Sequence, residues 1–221
     1  MKVMVVLLAS CVAAFAGLTF EHTLMEFRPA PGDPHVTAVF SFRNDRDKPL
    51  RIVKYDAACT CMTVTIDGAK HDYAPGEVGV MRAVFKLAGY YGTVDRVIAV
   101  WLEGDTPAAP SARLTVRAHI PQLMKIEPRT ITWDLNQEPV PQVVAIEMDP
   151  DHTIHVLETQ SSSDNFLLEL KTIEAGRRYE MVVTPKSTAI PGIAAFRVDT
   201  DSEIESVRSQ SAFGVIRKPA Q

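Results

Sequence analysis

From residue 18 onward, apolar side chains recur at every second position. Val36, Ala38, Phe40 and Phe42 alternate with Thr37, Val39, Ser41 and Arg43, which predicts a strand with one face on a core. Residues 78–87 place Met81, Ala83, Phe85 and Leu87 on one face in the same way. Residues 94–102 are apolar on both faces, with Val94, Arg96, Ile98, Val100 and Leu102 opposing Val97, Ala99 and Trp101. Such a run predicts a strand in the middle of a sheet. Further strands are predicted at 18–27 (a first strand in two pieces), 50–55, 64–66 and 114–120. Between them lie turn signals: three prolines over 29–34, the polar run 44–49, Asp67-Gly68, Pro75-Gly76-Glu77, the glycine-bracketed aromatic pair Tyr90-Tyr91, and 104–110. No helical period is present.

Residues 121–128 read as a short linker. Seven more short strands follow, at 130–135, 143–148, 153–159, 166–170, 179–184, 193–199 and 211–217. Strands at this spacing predict sandwiches. The fold class is all-β: two tandem immunoglobulin-like antiparallel β-sandwiches after an N-terminal signal peptide. The boundaries are 1–16 for the signal peptide, 17–120 for the first domain and 121–221 for the second.

A length of 221 residues suits two such domains. The chain is 46% hydrophobic and 23% charged, which argues against disorder. Its net charge of -4 offers no footprint for nucleic acid. Charge is uneven: twelve acids and twelve bases lie in 17–120, but fifteen acids and ten bases in 121–221, so the second half carries a mildly acidic, solvated face.

The leader has one lysine, an apolar run and the ending Ala14-Phe15-Ala16, a secretory pattern with cleavage expected after Ala16. Leu8-Ala9-Ser10-Cys11 also resembles a lipobox, which would lipidate Cys11. Retention as an uncleaved anchor is the third reading, the apolar stretch 3–20 being barely long enough to span a bilayer. Each places the body of the protein outside the cytoplasm, in the periplasm or at the cell surface, where disulfides persist. Membrane association is expected only through such a lipid or signal anchor.

Apart from Cys11, the only cysteines are Cys59 and Cys61. Three readings stand open. In an extended strand their Cα atoms would lie about 6.6 Å apart, at the upper edge of disulfide geometry unless the backbone turns. Two thiolates with Met62 or His71 would suit Cu(I), although Met62 would point to the opposite face of a regular strand. Alternatively the pair is structural, capping a sheet edge. A lone C-x-C motif is a weak signal for metal or redox chemistry. His152 and His155 would face opposite sides of a strand, which argues against a joint metal site. The acids Asp199, Asp201, Glu203 and Glu205 alternate, yet lack the glycine of calcium loops and read as a solvated edge. Trp101 and Trp133 are expected in the core, and Tyr90-Tyr91 at the surface. The sequence has no nucleophile elbow, zinc-binding helix or phosphate loop, so no enzyme and no cofactor is expected.

Five stretches carry a family resemblance: Phe40-Ser41-Phe42-Arg43-Asn44, Pro49-Leu50-Arg51-Ile52, Ala58-Cys59-Thr60-Cys61-Met62, Pro75-Gly76-Glu77 and the turn 89–92. In order and spacing, residues 18–120 resemble the bacterial domain-of-unknown-function 1573 family, an immunoglobulin-like sandwich distantly similar to major-sperm-protein domains. The chain departs from the family pattern at Thr60, where glycine is usual, and at Met62, where threonine is usual. Threonine disfavours positive φ between the cysteines. The resemblance implies no catalytic activity.

The expected function is a non-enzymatic, exported cell-envelope module for interaction or scaffolding, whose partner is another envelope or secreted protein. The alternative is a periplasmic thiol-redox or copper-handling protein centred on Cys59 and Cys61.

Overall fold

A computed structural model describes residues 17–219. The leader, with Cys11 and its cleavage or lipidation, lies outside them. The chain divides into two compact units between Pro121 and Gln122. All the strand assignments below refer to the described residues.

The first unit comprises β1 (Leu18–Phe20), β2 (Leu24–Phe27), β3 (His35–Asn44), β4 (Leu50–Asp56), β5 (Met62–Ile66), β6 (Asp72–Tyr73), β7 (Val78–Lys86), β8 (Gly92–Leu102) and β9 (Ala112–Ile120). One sheet runs β1-β3-β7-β5 and the other β2-β9-β8-β4-β6. The alternating residues of β3 and β7 face inward: Ala38, Phe40, Met81, Ala83 and Phe85 are fully buried. From the facing sheet, Ile98, Val100 and Leu102 of β8 and Leu114, Val116 and Ala118 of β9 close the core.

Two expectations need correction. The segment read as one first strand is two strands in different sheets. β1 pairs with β3, whereas β2 runs parallel to β9, so the chain changes sheets over residues 21–23. Trp101 is not core: it lies on the outer face of β8, under the Lys54 ammonium at 4.7 Å, with its indole N–H donating to the Pro107 carbonyl.

Asn44 ends β3 and is completely buried. Its amide donates to the carbonyls of Lys48 (3.0 Å) and Tyr73 (2.9 Å), and its Oδ1 accepts from the Arg46 N–H. Its backbone bonds to Gly76 and Glu77. One side chain thereby ties the end of β3, the polar turn after it and the Pro75-Gly76-Glu77 turn, which explains why these stretches occur together. In that last turn Gly76 has φ 75°, a conformation that a side chain would strain.

The second unit comprises β10 (Met124–Glu127), β11 (Thr130–Asp134), β12 (Gln142–Met148), β13 (Val156–Ser161), β14 (Phe166–Glu174), β15 (Arg178–Pro185), β16 (Gly192–Thr200), the four-residue helix α1 (Glu205–Arg208) and β17 (Ser209–Arg217). Its sheets run β10-β12-β15-β14 and β11-β17-β16-β13. The stretch read as a linker contains β10, whose Met124 and Ile126 are buried and whose backbone pairs with β12. Trp133 is core, packed in a chain of tilted and edge-to-face contacts with Phe166 and Phe196. Parallel pairing recurs here, between β11 and β17, so neither sandwich is wholly antiparallel.

Candidate functional site

The first unit concentrates its distinctive chemistry in the turn from β4 to β5, where the chain leaves one sheet for the other. Asp56 ends β4, and its carboxylate accepts from the Ala58 N–H at 3.0 Å. Ala58 adopts φ 51°, turning the chain. Thr60 is spared positive φ, consistent with a β-branched residue there. The turn brings the Cα atoms of Cys59 and Cys61 to 5.3 Å, shorter than an extended i,i+2 pair, and the two sulfurs are bonded as a disulfide. The Cys61 carbonyl accepts from the Lys86 N–H at 2.9 Å, anchoring the turn to the end of β7. Both cysteines are half-buried against the core, while Ala58 and Thr60 are exposed.

Arg96 of β8 completes the site. It occupies an inward-facing position two residues before Ile98, beyond the last β4–β8 pair, Asp56 with Ala99. At this open end of the sandwich, its guanidinium lies 4.6 Å from the centroid of Tyr90 and 5.4 Å from that of Phe85. Nη1 donates to the Asp95 carbonyl at 2.9 Å, and Nε donates to Cys61 Sγ at 3.2 Å. Two rings, one carbonyl and one sulfur therefore hold a single cation. Sequence reasoning placed Arg96 on the correct face but gave it no role. The available signal was a lone arginine in an otherwise apolar inward series.

In the disulfide form the cysteines present no thiolates, so the copper reading requires reduction. Met62 is buried in the core, and His71 stacks on Tyr55 and lies 3.2 Å from the Ile52 carbonyl. Among the described residues, no group of three or more His, Cys, Asp or Glu side chains is placed to hold a metal ion. His152 and His155 engage separate carboxylates, Asp149 and Asp201, each at 2.8 Å. Of the alternating acids, Asp199 pairs with Arg197 and Asp201 also accepts from the His155 N–H.

One polar line-up was not anticipated. The Thr93 hydroxyl lies 3.0 Å from His119 Nδ1, and His119 Nε2 lies 2.5 Å from Glu26 Oε1. Its hydrogen bond from His119 holds the Glu26 carboxyl below the usual carboxylate range, with the nearby positive charges adding to the effect. Thr93 and His119 are direct cross-strand partners and Glu26 lies on β2 beside β9, so the line-up is a part-buried polar ladder across β8, β9 and β2.

Residues 18–120 match the model of the family described as "Protein of unknown function (DUF1573)". No curated protein matches the sequence. Solved structures similar to the chain include the Vibrio cholerae VesB protease, at 14% identity and TM-score 0.38 over 48% of this chain; the chain spans only 32% of that protease. The YadV chaperone is similar at 7% identity and TM-score 0.34, over 90% of this chain and 99% of the chaperone. A chimeric titin Z1Z2 is similar at 9% identity and TM-score 0.28, over 95% and 100%. At these identities and TM-scores the likenesses carry no argument about what this chain does.

Proposed function

With residues 18–120 forming a domain of the DUF1573 family, we propose that this protein is a non-enzymatic, exported cell-envelope module that binds another envelope or secreted protein along a sheet edge. The observation that carries this reading is β14. Among the described residues it is an edge strand of nine residues, hydrogen-bonded only to β15, and it leaves Leu167 55% exposed on the regular stretch before the bulge at Ile173. A long edge strand with exposed apolar side chains is a template for an added strand, which natural proteins usually blunt. The test is a photo-crosslinking residue at Leu167 in cells, with one at Arg197 as control. A discrete adduct at Leu167 alone supports the reading; equal labelling at both sites, or none, counts against it.

A second reading, thiol redox at Cys59 and Cys61, is favoured by the Arg96 contact. A disulfide closing a loop this short, with a sequence separation of 2, contributes only about 1–2 kcal/mol by chain entropy. Stabilisation is therefore a weak account of the bond. The guanidinium beside Cys61 favours an anionic sulfur but opposes a cation such as Cu(I), which ranks redox chemistry above copper handling. Incubation of the folded protein with reduced glutathione tests it: resistance of the disulfide to reduction would end this reading.

A further inference from the structure

The two sulfurs of the disulfide are not equivalent. Cys61 Sγ accepts the Arg96 Nε–H at 3.2 Å, and the guanidinium is already fixed by Tyr90, Phe85 and the Asp95 carbonyl. Negative charge on Cys61 is thus met by a cation that need not reorganise. Cys59 sits on the other side of the exposed Thr60, directly after exposed Ala58. In thiol–disulfide exchange the sulfur better stabilised as thiolate is the faster leaving group, and the other sulfur is the one attacked.

We propose, resting on the thiol-redox reading, that the Cys59–Cys61 bond is opened in one direction: an incoming thiolate attacks Cys59 Sγ, and Cys61 leaves as a thiolate paired with Arg96. The reductant is a dithiol. Its first thiolate forms a bond to Cys59 Sγ as the Cys59–Cys61 bond breaks, and the bonding electron pair goes to Cys61. Its second thiolate then attacks the reductant's own sulfur in the mixed disulfide and releases the Cys59 thiolate. The protein gains two electrons and, after protonation, two protons; the dithiol becomes a disulfide. Arg96 transfers no proton and remains a cation throughout.

The experiment uses the full folded chain and reduced glutathione, with immediate alkylation to trap the mixed disulfide before the freed thiolate re-closes the ring or a second glutathione releases it. Brief reaction at neutral pH, alkylation of free thiols and fragment mass spectrometry locate the adduct. Glutathione is expected on Cys59 and the alkyl group on Cys61. Arg96→Gln is expected to slow opening about tenfold, the loss of one charge-assisted hydrogen bond to the leaving sulfur. Arg96→Lys retains the charge and most of the rate, and controls for folding alongside near-ultraviolet circular dichroism. In the reduced protein, Arg96→Gln should also move the ultraviolet titration of the Cys61 thiolate to higher pH, which a purely packing role would not do. Glutathione found on Cys61, or Arg96→Gln matching wild type in rate and titration, would overturn the assignment while leaving thiol redox standing. A disulfide that glutathione cannot open in the folded protein would overturn both.

Discussion

The Asn44 side-chain amide donates to the Tyr73 carbonyl at 2.9 Å, joining residues 29 apart in the chain at a fully buried position. Asn44→Ala removes this bond and two others, taking one partner from the buried Tyr73 carbonyl and one each from the part-buried Lys48 carbonyl and Arg46 N–H. The expected cost is about 2–4 kcal/mol, since three hydrogen bonds are lost at buried or part-buried groups. Asn44→Asp should cost a similar amount, because a carboxylate presents no donor to those carbonyls. Urea unfolding of the full chain measures both.

Gly79 and Gly214 play one packing role in the two domains. A Cβ on Gly79 would lie 2.4 Å from the Phe42 ring and 2.6 Å from Tyr73, and one on Gly214 would lie 2.4 Å from Phe196. These rings belong to aromatic chains filling each core, so they have little room to yield. Gly79→Ala and Gly214→Ala are each expected to destabilise by about 1–3 kcal/mol through overpacking. A thermal melt that either substitution leaves unchanged would contradict this packing.

Three carboxylates are held below their ordinary range by a histidine: Glu26 by His119, Asp149 by His152 and then the Asp151 N–H, and Asp201 by the His155 ring and then its N–H. A carboxyl with a depressed folded-state pKa contributes stability that is present above its unfolded pKa and lost as pH falls through the folded value. Stability should therefore decline on acidification below about pH 4, the ordinary carboxylate range. Melting temperatures from neutral pH down to about 3 should show the decline. In Glu26→Gln combined with Asp201→Asn, the acid limb should be shallower.

Replacing both Cys59 and Cys61 by serine tests the small structural weight assigned to the disulfide. The expected loss is about 1–2 kcal/mol, because the bond closes a very short loop. A loss above about 4 kcal/mol would exceed the entropic contribution even of a loop far longer than this one, and would return the pair to a structural role.

Strand identity was legible because inward residues repeat with period two and the pleat allows no other arrangement. For β3 and β7, reading that period amounts to reading the core. It failed where periodicity is silent. Leu24 to Phe27 alternates equally well in either sheet, so pairing with β9 rather than β3 was not visible. Met124 and Ile126 are too short a series to mark a strand, and their apolar character reads equally as a linker. Trp101 sits in a strand apolar on both faces, where composition alone cannot say which face is covered.

The candidate site divides in the same way. By itself the sequence determined that two cysteines lie between the strands predicted at 50–55 and 64–66, that Thr60 disfavours positive φ, and that Arg96 shares a face with Ile98 and Val100. These follow from local chemistry and short-range geometry. Only the tertiary structure decided that Ala58 takes the left-handed conformation, closing the Cα separation to 5.3 Å. It alone placed Arg96, 35 residues further along, against Cys61. The physical reason is that β4 stops pairing with β8 at Asp56, and the chain crosses to the opposite sheet there. The inward face of β8 is left open at that end, and a side chain from one sheet can reach the turn of the other.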